Sequence, residues 1–105
     1  MAWGLSNTEE EGERIAAVRE YFYEHFPHAT IRDSYDPGRM AQVFLVDTND
    51  AAVVYTVVVS TQFLEAYPPG QIATVLLGYR VAVYMSAAMG AEVRITPWGV
   101  EGKKD

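Results

Sequence analysis

The chain has two histidines, His25 and His28, in an H-x-x-H pattern. Imidazole is a ligand for zinc and copper, and Glu24 or Asp33 would have to complete such a set. Pro27 lies between the two and breaks the helical geometry that would put both on one face. The simpler reading is a pair of polar residues closing a helix, where positive charge is favourable. His25 and His28 therefore stand as weak metal candidates, and no metal or other cofactor is expected.

A second group, Asp33, Tyr35, Asp36 and Arg39, brackets a Pro-Gly turn. Paired carboxylates can divide acid and base roles when their surroundings push their pKa values apart. Asp36 has a more ordinary task, accepting backbone hydrogen bonds at the start of an Asp-Pro-Gly turn, and Pro37-Gly38 suits type II geometry. Asp33 and Arg39 are placed to pair across the hairpin.

Arg80 has the strongest claim to a special role, because it sits in the most apolar stretch of the chain. A guanidinium buried there must find a carboxylate, a carbonyl or an anionic ligand, unless its stem reaches water. The chain also has seven tyrosines, a residue that enriches interfaces and pockets because it joins an apolar body to a polar tip. Tyr55, Tyr67, Tyr79 and Tyr84 are the ones placed to line a site with Arg80. No dinucleotide fingerprint, phosphate loop, nucleophile elbow, zinc-protease helix or calcium loop occurs. Ser60 and Ser86 have no histidine near them in sequence.

Composition narrows the classes further. The chain has 105 residues, 50% hydrophobic and 21% charged, which is ordinary globular chemistry for one domain. It contains no cysteine, so disulfides, thiolate metal sites and cysteine nucleophiles are excluded. Eight Lys+Arg against fourteen Asp+Glu give a net charge of −6, which repels phosphate backbones, so no nucleic-acid partner is expected. The residues before Glu9-Glu10-Glu11 are neither basic nor a long apolar run, so a presequence is not expected. The lack of cysteine fits a cytoplasmic setting.

The elements that must position these residues follow from periodicity and punctuation. Ser6-Asn7-Thr8-Glu9 is a capping-box pattern, and Ile15, Val18, Phe22 and Phe26 make an apolar helical stripe. A first helix is therefore expected over 8–25, ended by Pro27. Strands are expected over 30–35, 41–47 and 52–60, the last strongly β-branched, joined as an antiparallel meander. A short helix over 61–67 precedes the breaker Pro68-Pro69-Gly70. A long helix follows over 71–89, with Gly90 as its cap, and a last strand over 91–96. The expected fold is α+β in two layers, ordered α-β-β-β-(short α)-α-β. Its sheet is four-stranded and mostly antiparallel, packed by two helices. One domain spans 1–105, with 1–7 and 99–105 fraying.

The long helix is the most informative element. Leu76, Leu77, Tyr79, Val81, Val83, Tyr84 and Met85 project in all directions around its axis, and a helix apolar all round needs cover all round. Gly78, Ala82, Ser86 and Gly90 recur four apart, a stripe that permits close backbone approach, either to the sheet or to a second helix across a two-fold axis. The twenty apolar-biased residues from Ile72 to Ala91 reach membrane-spanning length, but Arg80 near the centre makes insertion costly, so no membrane span is expected. A homodimer is expected, since large exposed apolar patches rarely go unused and two-fold assemblies are the commonest.

From Thr8 to Met89, the order helix, three strands, helix resembles the double-stranded RNA-binding domain. That family grips phosphates with lysines at the start of its second helix. The matching Pro68-Pro69-Gly70-Gln71-Ile72-Ala73-Thr74 has no cation, so the resemblance implies element order and no RNA contact. The small, acidic, dimer-forming character is similar to type III secretion chaperones, which implies client segments held on apolar patches. The expected function is a non-enzymatic protein-interaction or adaptor module, acting as a homodimer with a possible protein client. The alternative is a small-ligand-binding protein or modest enzyme, with Arg80 anchoring an anion in a tyrosine-lined pocket.

Overall fold

The structure is a computed structural model and describes residues 8–49, 53–88 and 91–102. The first helix, α1 (Thr8–His25), keeps the expected bounds. It sinks Val18, Tyr21 and Phe22 into the core, with Ile15 and Phe26 packed at the margin. The proposed capping residues Ser6 and Asn7 lie outside the described residues. Three strands follow, β1 (Thr30–Asp36), β2 (Ala41–Asp47) and β3 (Val54–Ser60). They form the expected antiparallel meander, with Asp33 opposite Phe44 and Phe44 opposite Val57.

The β1–β2 turn differs from the type II expectation. Arg39 N–H donates to Asp36 O at 3.2 Å and Met40 N–H to Pro37 O at 3.3 Å. The left-handed residue is Met40, at φ 50°, and not Gly38. Four residues thus close the hairpin around two successive turns, a common solution for a loop of that length. The Asp36 side chain has the expected role, accepting from Gly38 N–H at 3.0 Å.

The next region carries the main correction. In place of one helix over 71–89 there are two, α3 (Pro69–Tyr79) and α4 (Val81–Ala88), after the short α2 (Thr61–Ala66). Ser60 caps α2, its Oγ accepting from Phe63 N–H at 3.0 Å. Arg80 separates α3 from α4 in the left-handed conformation, φ 59° and ψ 45°. Its N–H closes α3 on the carbonyls of Leu76 and Leu77, and its own carbonyl starts α4 by accepting from Val83 and Tyr84. The N–H of Ala82, in the first turn of α4, is capped from a distance: it donates to the Tyr21 hydroxyl of α1 at 3.0 Å. Burial pushes the Tyr21 phenol pKa up, and the Ala82 bond partly offsets this. Met89 and Gly90, expected to end the long helix, lie outside the described residues.

Among the described residues the sheet has five strands, one more than expected. β4 (Val93–Thr96) turns through Pro97 and Trp98 into β5 (Gly99–Gly102), in the segment expected to fray. The strand order is β1-β2-β3-β4-β5, with β3 and β4 parallel and the other pairs antiparallel. The helical connection α2–α4 supplies the long crossover that a parallel pair requires. One face of this sheet, carrying Phe44, Val46, Val57, Val59, Val93 and Ile95, closes the core with Phe63, Leu64, Ile72, Leu76, Val81 and Met85 from the helices. The architecture is therefore α+β with a mixed sheet. Among the described residues no helix is long and apolar enough to cross a membrane.

Candidate interaction surface

Successive helical residues point about 100° apart, so adjacent apolar residues cannot share one face. Leu76-Leu77 and Val81-Ala82-Val83 show the consequence. Leu76 and Val81 are fully buried, whereas Leu77 is 59% exposed and Val83 62%. Tyr84, next along, is 47% exposed. Together with exposed Thr74, Gly78, Ser86 and Ala87 they form the outer surface of α3–α4. From Pro68 to Ala88 the only charged residue is Arg80. The one cation of the segment thus stands at the corner between two helices whose outer surface is otherwise uncharged.

Arg80 itself is exposed, and its backbone conformation, not an ion pair, fixes its place. A left-handed non-glycine residue costs roughly 1–3 kcal/mol, which the packing of α3 and α4 on either side must offset. The tyrosines expected beside it fall in separate places. Tyr67 and Tyr79 pack on Phe63, with ring centroids at 5.2 and 6.0 Å. Tyr79 donates from its hydroxyl to Pro97 O at 2.9 Å, tying α3 to the β4–β5 turn. Burial and the neighbouring Tyr67 hydroxyl push the Tyr79 pKa up to about 12. Tyr55 lies against Phe26 at 5.4 Å, and Tyr84 is on the outer surface.

The small-residue stripe is divided by the break at Arg80. Gly78 belongs to α3 and Ala82 and Ser86 to α4, so a four-residue spacing no longer sets them on one stripe. Gly78 and Ser86 are exposed, while Ala82 packs partly against the core. A Cβ built at Gly78 would meet nothing within 4 Å. The fold of the chain itself therefore gives no steric reason for glycine there.

The other candidates are also accounted for. Asp33 faces the helices, where Arg19 donates to its Oδ1 and Gln42 Nε2 donates to its Oδ2 at 2.6 Å. Asp36 lies on the opposite face by strand alternation, so the two carboxylates are not brought together, and Asp33 does not pair with Arg39. His25 lies against the Tyr21 ring at 4.4 Å, and His28 is exposed. Among the described residues no group of three or more His, Asp or Glu side chains is gathered to hold a metal ion.

Leu77 and Val83 carry the exposed surface but stand out less in the sequence than Arg80. The signal was the doublet itself, since two adjacent leucines in a helix cannot both face the same core. Comparison with protein-family models, with curated proteins and with solved structures finds no match to this chain.

Proposed function

We propose that this chain is a small, acidic, non-enzymatic protein-interaction module that works as a homodimer through the outer surface of α3–α4. The observation that carries the reading is the exposure of Leu77, Val83 and Tyr84 on a helical pair whose only charge is Arg80. Exposed apolar surface of this kind marks contact sites in soluble proteins. A second copy is the occupant that fits best. The chain carries a net charge of −6, so two copies repel over most of their surfaces, and this uncharged region is where they meet at least cost.

Gly78 supports the same assignment. Glycine inside a helix costs roughly 1 kcal/mol relative to alanine, and the space around it within the chain is open. Close approach of a neighbouring backbone beside Leu77 is a use for that opening. A dimer so formed would leave the rest of each copy free for a protein client, and the absence of cysteine supports a reducing, cytoplasmic setting.

The test is sedimentation velocity on the chain carrying Leu77→Glu together with Val83→Glu. Both side chains are exposed in the isolated fold, so the circular dichroism spectrum and melting of a monomer should survive. Conversion of a dimer to a folded monomer supports the reading, and a dimer that persists in the variant overturns the assignment to this surface.

A further inference from the structure

The corner between α3 and α4 turns on one residue whose type does not favour it. Arg80 holds φ 59° and ψ 45°, a conformation that glycine, asparagine and aspartate visit and other residues rarely do. Arginine is instead among the better helix formers. Ala82, in the first turn of α4, takes its cap from the Tyr21 hydroxyl of α1 at 3.0 Å. In a continuous helix the same N–H would reach the carbonyl four residues back, that of Gly78. The corner is therefore held by packing against the rest of the chain, whereas Arg80 itself would carry one helix straight through.

Straightening Arg80 would change which residues share a face. At 3.6 residues per turn, Ile72, Leu76, Tyr79 and Val83 fall within about 60° of one another. Leu77, Val81, Tyr84 and Met85 form a second stripe, centred about 160° away from the first. Each stripe joins residues that the corner leaves buried to residues that it leaves bare. Exposed Val83 lines up with buried Ile72 and Leu76, and exposed Leu77 and Tyr84 line up with buried Val81 and Met85. The bare apolar residues of this layer are thus the remainder of two complete stripes, folded back at Arg80 onto one core. A straight helix with two opposite apolar faces must lie between two cores, and one chain supplies one. Gly78, Ala82 and Ser86 also return to one flank of that helix, at a spacing that lets a second helix approach.

We propose that two copies of this chain exchange α4, β4 and β5, with α3 and α4 joined through Arg80 into one helix that spans both halves. This deepens the homodimer reading and rests on it: a second copy covers Leu77, Val83 and Tyr84, and the exchanged helix is how it does so. Every contact that holds the exchanged unit in one chain can be made again in the partner. β4 pairs in parallel with β3 through Val57 and Val93, and Val81 and Met85 enter the core. Glu92, braced by Arg94 Nε at 2.8 Å, accepts from Arg39 Nη1 at 2.7 Å. The Tyr79 hydroxyl donates to Pro97 O at 2.9 Å. Apart from the Arg94 brace, each of these joins a residue before Arg80 to one after it, so the second copy supplies the missing half. The left-handed hinge and the bare residues favour exchange, and the cost of association opposes it, so the exchanged form grows with concentration.

The test uses the absence of cysteine from the chain. Val58 of β3 lies opposite Arg94 of β4, both on the sheet face turned away from the helices. Chains carrying only Val58→Cys and chains carrying only Arg94→Cys are mixed, unfolded and refolded together at high concentration. They are then treated with dibromobimane, which bridges only adjacent thiols. One chain carrying both substitutions, diluted until monomeric, bridges internally and calibrates the reagent. A covalent heterodimer on a denaturing gel is expected, because exchange puts Cys at 58 of one copy beside Cys at 94 of the other. Sedimenting dimers without that product would overturn the exchange and leave a dimer made by surface contact alone. A mixture that stays monomeric would overturn both. Arg80→Gly adds a second readout with Leu77, Val83 and Tyr84 untouched. Glycine relieves the left-handed strain and weakens a straight helix in both copies, so the dimer should loosen by about tenfold or more. An Arg80→Gly dimer as tight as the wild type would overturn the proposal.

Discussion

The two helical regions over the sheet solve the same packing problem and differ on the side away from it. α1 buries Val18, Tyr21 and Phe22 and turns Glu13, Glu20 and Glu24 outward, with Tyr23 its one exposed large apolar side chain among the described residues, so its outer side is mostly charged. α3–α4 buries Ile72, Leu76, Val81 and Met85 with equal completeness. Its outer side, however, presents Leu77, Val83 and Tyr84 where α1 presents carboxylates. The inner faces are dictated by the fold, and burying them would stabilise either pair of layers. Only the outer face of α1 is finished as a solvent surface; that of α3–α4 is written as if something else were to lie on it.

Neighbouring residues of the same type can break this contrast most sharply. Leu76→Ala should cost about 2–5 kcal/mol in chemical denaturation, as for a buried leucine. Leu77→Ala should cost no more than about 0.5 kcal/mol in a monomer, as for a surface position, and its effect should grow with protein concentration if the residue is covered in a dimer. A Leu77→Ala variant as damaged as Leu76→Ala at every concentration would place both leucines in one core and remove the distinction.

A smaller effect with a more discriminating sign comes from Gly78→Ala. Considered within one chain, the substitution should stabilise α3 by roughly 0.5–1 kcal/mol, because a Cβ there is unobstructed and alanine is the better helix former. Close helix approach across a dimer would reverse this, so the variant should gain stability as a monomer and lose association. Parallel measurement of melting and of the dimer dissociation constant separates the two. A variant that melts higher and associates no more weakly would show that Gly78 does not lie at the contact.

Much of the fold was legible because the sequence punctuates it. Pro27 ends α1 and Asp36-Pro37-Gly38 separates β1 from β2, so α1, β1 and β2 lie within a residue of expectation, whereas α3 starts two residues earlier than expected, at Pro69, and stops at Tyr79. The break at Arg80 was not legible, since left-handed residues are usually signalled by glycine or asparagine and an arginine there signals nothing. It is imposed by tertiary structure, with Tyr21 supplying from α1 the cap that the local sequence lacks. β5 was missed for a related reason. Gly99-Val100-Glu101-Gly102 has little strand character of its own and is strand because β4 offers it a paired edge.

The candidate surface was legible in kind but not in detail. An apolar helix longer than one core could cover was visible in Leu76 to Met85, whereas which residues remain bare depended on the corner at Arg80. The Arg39–Glu92–Arg94 cluster was less visible still, because bringing Arg39 to Glu92 required the register of four strands.

Sedimentation equilibrium of the wild-type chain over a wide concentration range tests the central claim most directly. The account predicts a reversible dimer of twice 11.7 kDa that Leu77→Glu with Val83→Glu reduces to a folded monomer. A wild-type chain that remains at 11.7 kDa at every concentration would contradict it, and would mean that α3–α4 carries Leu77, Val83 and Tyr84 exposed without pairing with itself.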